Sequence, residues 1–131
     1  MTKRIRKNEE GQALVEFALI APILFLILFG IIQFGIAFKD SMALTDAVRA
    51  GARQATVSRS AADPVGVTKS AVAKAASDLD SSKLNVTVTA PPWQPGATVT
   101  VTATYPYSIN ILGIVVASGS LHSSTTERVE Y

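Results

Sequence analysis

With 131 residues, 48% of them hydrophobic and none of them cysteine, the chain has room for one membrane segment and one small domain, and it excludes a disulfide framework and thiolate metal sites. The net charge of +2 belongs to the first eleven residues, where Lys3, Arg4, Arg6 and Lys7 outnumber Glu9 and Glu10; the rest carries eight basic and eight acidic side chains. The basic balance is therefore a topogenic signal that says little about nucleic acid, no nucleic-acid partner is expected, and it predicts a cytoplasmic N-terminus with an extracytoplasmic C-terminal domain.

Residues 1–11 read as a basic leader. Residues 17–38 follow without a charge, and only Pro22, Gly30, Gln33 and Gly35 interrupt their aliphatic and aromatic side chains. A helix of that length rises about 33 Å, enough for a hydrocarbon core of about 30 Å. The run exceeds the usual apolar stretch of a cleaved signal, and Phe38 and Lys39 spoil a small-residue cleavage site, so an anchor is expected. Pro22 removes one helical hydrogen bond and predicts a kink.

The helical pattern continues past the span, giving an expected transmembrane and juxtamembrane helix over residues 12–59. Ala43, Ala47, Gly51 and Ala55 recur every four residues along one ridge, with Leu44, Val48 and Ala52 beside it and Asp46, Arg49 and Arg53 on another side. Such a ridge predicts close helix packing, against the chain's own sheet in preference to another subunit.

Residues 60–131 read as the extracytoplasmic α+β domain. Asp63 and Pro64 supply a cap and a first helical position for a second, short helix over residues 65–79. From Leu84 the period becomes two: Leu84, Val86, Val88 and Ala90, then Val99, Val101, Ala103 and Tyr105, alternate with threonine and asparagine. The proline-rich loop from Pro91 to Gly96 separates the two strands. Residues 105–120 are broken by Pro106, Asn110, Gly113 and Gly119 and suggest a short helix or a crossover over the sheet edge. Residues 121–130 supply a third strand, giving an antiparallel sheet of about three.

The chemistry of catalysis is sparse. His122 is the single histidine and reads as a solvated strand residue, Asp78 and Asp80 as a helix end and turn, and the Asn85-Val86-Thr87 sequon is a weak three-residue match. No phosphate-binding glycine loop follows a strand, and the serines lack a base. The chain is expected to be no enzyme, to hold no cofactor or metal, and to take no small-molecule substrate.

The informative charge is Glu16, one residue before the span, because a carboxylate in lipid is costly. It either snorkels to the head groups or finds a cation. Were the chain cut after Gly11, the new α-amino group of Gln12 on a neighbouring subunit would be such a cation; within one chain, residues 12 and 16 lie one turn apart.

Gly11-Gln12-Ala13-Leu14-Val15-Glu16-Phe17 resembles a type IV prepilin processing site. The more specific resemblance is to TadE-like proteins, the minor pseudopilins of tight-adherence (Tad or Flp) pilus systems. It is carried by Gly11, Val15-Glu16-Phe17-Ala18, Pro22 and Arg49-Ala50-Gly51-Ala52-Arg53, and at the C-terminus by Thr126-Glu127-Arg128-Val129-Glu130. The resemblance implies a minor pilin-like structural subunit. Gly11 and Gln12 would be its processing site for a prepilin-type peptidase; Glu16, Phe17 and Pro22 would serve assembly. Its partners would be membrane lipid, other pilin-like subunits and the pilus assembly platform, with Arg49 and Arg53 as partner contacts; as a purely structural alternative, Arg49 pairs with Asp46. The competing function is a permanently anchored binding module that uses the threonine face or the Trp93 loop.

Overall fold

The computed structural model describes residues 3–90 and 92–130, with side chains described from Gly11 onward. Met1 and Thr2 of the expected leader and Pro91 of the expected loop lie outside the described residues. Three helical elements precede three strands. Helix α1 (Lys3–Val57) runs 55 residues, about 82 Å, and closes in a single 3-10 turn at Ser58–Ser60. It continues through Pro22, whose missing N–H costs one hydrogen bond in a long ladder.

The helix has two environments. From Gly11 to Phe38 almost every large apolar side chain is exposed, among them Phe17, Leu19, Ile23, Phe25, Phe34 and Phe38. From Leu44 onward one face is sealed: Leu44, Ala47, Val48, Ala52 and Ala55 enter the core. The same helix is therefore an unaccompanied apolar rod at one end and a core element at the other. A 3.6-residue repeat of small side chains makes the second role possible, because it lets neighbouring backbones approach closely.

Helix α2 (Pro64–Ala75) packs across this ridge. Asp63 caps it, its Oδ1 accepting the Gly66 N–H at 2.9 Å, and Pro64 occupies a first-turn position that needs no donor. The helix is shorter than the expected 65–79. After Ala76 the chain turns, with Leu79 N–H donating to Ala76 C=O at 2.9 Å, and Leu79 itself still enters the core. Gly51 of α1 faces α2, not the sheet: a Cβ there would run into the Val72 Cγ2 methyl and approach the Thr68 carbonyl oxygen to 3.5 Å.

The sheet has the order β1–β2–β3, all antiparallel: β1 (Asn85–Thr89), β2 (Thr98–Ile111) and β3 (Ile114–Arg128). Val99, Val101, Ala103 and Tyr105 of β2 face the helices and are buried. On the opposite face, Thr100 and Thr126 hydroxyls meet at 2.8 Å, and Thr102 and Ser124 hydroxyls at 3.0 Å.

Residues 105–120 form neither a short helix nor a crossover. They complete one long hairpin, in which β2 and β3 pair from Thr98↔Arg128 to Ile111↔Ile114. Three local devices explain the departure. Leu112 and Gly113, both at positive φ (52° and 87°), make the two-residue turn that right-twisted strands prefer. Pro106 lies past the residues of β2 that pair with β1, so one edge is open there and a missing N–H is admissible. Across from Tyr107 stands Gly119, whose bare backbone carries the tyrosine ring: a Cβ there would lie 2.9 Å from Tyr107 Cε1. A register shift between Ile109 and Asn110 leaves Val116 as an extra residue in β3.

The end of the chain fastens the sheet to α1. Val129 is buried, exchanging bonds with the loop before β2 (Gly96 N–H to Val129 C=O, 3.0 Å; Val129 N–H to Ala97 C=O, 2.8 Å), and Glu130 N–H donates to Thr56 C=O at 3.2 Å.

Candidate functional site

No constellation for catalysis gathers among the described residues. His122 is exposed on β3, and no group of three or more metal-ligating side chains occurs among the described residues. Asp80 belongs to a turn: its Oδ1 accepts from the Ser82 hydroxyl at 2.6 Å and the Ser82 N–H at 3.0 Å, and those bonds, with Lys83 nearby, hold its carboxyl below the usual value of 3.8. The Asp80 N–H donates to Tyr105 Oη at 3.3 Å, tying this turn to β2. Trp93 packs partly against the core, and on the threonine face Thr100 bonds Thr126 and Thr102 bonds Ser124 across the strands.

The residues singled out for assembly lie on α1 and fall into two groups. At the N-terminal end, Gly11, Gln12, Glu16, Phe17 and Pro22 are all exposed within continuous helix. Gln12 Nε2 donates to Glu16 Oε1 at 3.1 Å, the contact that a spacing of four residues allows. A built Cβ at Gly11 meets nothing within 4 Å, so space does not require glycine there, and glycine inside a helix costs about 1 kcal/mol relative to alanine.

In the second half of α1, Ala47, Gly51 and Ala55 are buried and Ala43 is half-buried against the core. Arg49 and Arg53 lie off the buried ridge and are exposed. Arg49 Nη1 lies 3.8 Å from Asp46 Oδ1, an exposed pair worth well under 1 kcal/mol. Both arginines line an open groove of about 460 Å³ with Thr56, Thr125, Glu127 and Glu130, where two basic side chains of α1 meet two acidic ones from the chain's end. In the sequence Glu127 and Glu130 stand only as part of a C-terminal motif. The groove arises because Val129, buried between them, draws both glutamates to the end of α1.

Residues 11–53 match the family model for TadE-like protein. That stretch of the chain is TadE-like. The TadE-like segment lies wholly within α1, spans both its exposed apolar half and most of its core-forming half, and includes every singled-out residue except Ala55. Comparison with curated proteins and with solved structures gave no match. Helix α1 is long and apolar enough to cross a membrane, with its apolar window wholly uncovered by the rest of the chain. A core helix of a soluble protein would hide that window. The chain joins a helix suited to a single membrane crossing to a folded C-terminal domain.

Proposed function

We propose that this protein is a minor pilin-like structural subunit, a pseudopilin, that takes part in assembling a Tad or type IV-like pilus and has no catalytic role. The observation that carries this reading is the coincidence of the TadE-like match with a helix whose first half has no partner inside the chain. An apolar rod of that kind needs lipid or other helices around it, and a pilus subunit uses both in turn. The basic leader keeps the N-terminus cytoplasmic and the C-terminal domain extracytoplasmic.

In this reading a prepilin-type peptidase cuts between Gly11 and Gln12. The glycine eases the local unwinding that cleavage of a helical peptide needs. The new α-amino group then replaces the Gln12 amide as the partner of Glu16, on a neighbouring subunit, so that two charges enter the packed bundle as a neutral pair. Phe17 and Pro22, within two turns of Glu16 on the same helix, serve the packing of that bundle. Arg49 and Arg53, exposed beside the groove, meet the assembly platform or an adjacent pilin-like subunit.

Intact mass of the membrane-extracted protein tests processing: with active peptidase the chain should begin at Gln12, and a species still carrying the leader would sink the cleaved-subunit mechanism. Photocrosslinkers placed at positions 17–38 should capture other pilin-like helices. A permanently anchored binding module would instead tolerate Gly11→Ala and Glu16→Gln without loss of piliation.

A further inference from the structure

The β2–β3 hairpin has a polarity that pilus membership does not explain. Between Lys83 and Glu127 there is no aspartate, glutamate, lysine or arginine, so the formal charge of the hairpin sits at one end, in Glu127, Arg128 and the following Glu130. That charged end lies at the C-terminal end of α1: Glu130 N–H bonds Thr56 C=O, and Thr125 shares the groove with Arg49. Strand β3 and α1 therefore run in the same sense, and the uncharged tip points toward the membrane-spanning half of the helix.

The tip also outruns the folded part of α1. From Thr125 back to Ile114 is eleven residues of strand, about 36 Å at about 3.3 Å each. From Arg49 back to Phe38, where the apolar span ends, is also eleven residues, but about 16 Å of helix at about 1.5 Å each. Even if inclination to the helix axis halves the strand's advance, to about 18 Å, the tip still reaches the level at which the span ends.

What it carries there is apolar and exposed. Leu112, Ile114, Val115 and Val116 are 77%, 69%, 55% and 56% exposed. Leu112 stands at φ +52°, at a turn position that glycine, asparagine and aspartate fill at lower cost. A leucine held in a left-handed conformation with its side chain in the open has no packing reason inside the chain, and such strain is a signature of function.

We propose that the Leu112–Ile114 tip of the hairpin docks into the domain-side face of the same bilayer that α1 spans, making a second and shallow lipid contact. The proposal rests on the membrane anchoring of α1. Lipid is the occupant because the tip continues the level of the span and carries no charge to hold it in water. The depth is limited by chemistry already in the strands: Ser108, Asn110 and Ser118 stand just behind the tip, Tyr107 suits the head-group region, and the unpaired amides of a turn cannot be taken into hydrocarbon. Two attachments, one through the bilayer and one on its surface, fix the domain's rotation about α1 and so the direction in which the Arg49 and Arg53 groove faces.

The chain has no cysteine, so single labelling sites are available on the intact protein. Full-length Val115→Cys, Leu26→Cys and Lys74→Cys carry an environment-sensitive fluorophore in phosphatidylethanolamine/phosphatidylglycerol vesicles. The probe at 115 is expected to shift to the blue, to lose quenching by aqueous iodide, and to be quenched more by lipid nitroxides near the head group than by those at mid-chain. At 26 the mid-chain nitroxide should quench more, and at 74 the probe should behave as in water. A water-like signal at 115 beside a lipid signal at 26 overturns the docking and leaves the anchor intact. Shielding at 115 that no lipid nitroxide quenches, and that grows with protein density, overturns it in favour of a second copy. A water-like signal at 26 overturns the anchoring, and the docking with it.

Discussion

Gly51 shows how one residue can be legible in kind and illegible in partner. Its place in a four-residue ridge with Ala43, Ala47 and Ala55 marks a surface for close approach, but the ridge does not say which element approaches. Folding sets α2 there, with Val72 filling the space a Cβ would need. Gly51→Ala should gain about 1 kcal/mol of helix propensity and lose more to overpacking, for a net destabilisation of about 1 kcal/mol or more, read by urea unfolding in detergent. Adding Val72→Ala should recover part of the loss; simple additivity of the two changes would refute the contact. Asp80 is a second residue-scale case. Its folded-state carboxyl is depressed below 3.8 by the bonds from Ser82, so its contribution to stability is complete above that value and disappears as pH falls through the lower folded value. Asp80→Asn should flatten that part of the stability profile, and carboxyl NMR should show the wild-type Asp80 titrating below its ordinary range.

At the scale of elements, the helices were readable because each carries its own signals. Asp63 and Pro64 mark the start of α2, and the 3.6-residue pattern carries α1 far beyond the span. The hairpin was not readable past Tyr105, because glycines and a proline look like breaks whether they end a strand or serve it. Gly113 takes the left-handed turn position, Gly119 carries a tyrosine ring, and Pro106 sits where β1 has ended, none of which is visible without cross-strand register. Leu112→Asn should therefore stabilise the hairpin, by about 1 kcal/mol, since asparagine before glycine is the preferred pair for this turn and escapes part of the left-handed penalty. A thermal midpoint in detergent that falls instead of rising would show that the leucine side chain packs within the protein.

For the whole molecule, the boundary that matters is inside α1. The core begins at Leu44 and takes five residues from this helix before it takes any from α2 or the sheet. A fragment starting near Asp40 should fold in water with a cooperative transition by circular dichroism, because it keeps Leu44, Ala47, Val48, Ala52 and Ala55. One starting after Val57 should not, because it leaves Val72, Val99 and Val101 facing solvent. Equal unfolding transitions for the two fragments would refute the shared core.

The sequence alone determined the apolar span, the continuation of the helix beyond it, and the TadE-like stretch over residues 11–53. Each of these is written in neighbouring residues or in a fixed period, and needs no distant partner to be recognised. Tertiary structure decided that α2 packs against Gly51 of the small-residue ridge, that the buried Val129 brings Glu127 and Glu130 to the arginines of α1, and that residues 105–120 extend a hairpin along the helix. Those outcomes depend on contacts between residues tens of positions apart, where strand register and the twofold difference in rise between strand and helix set what meets what.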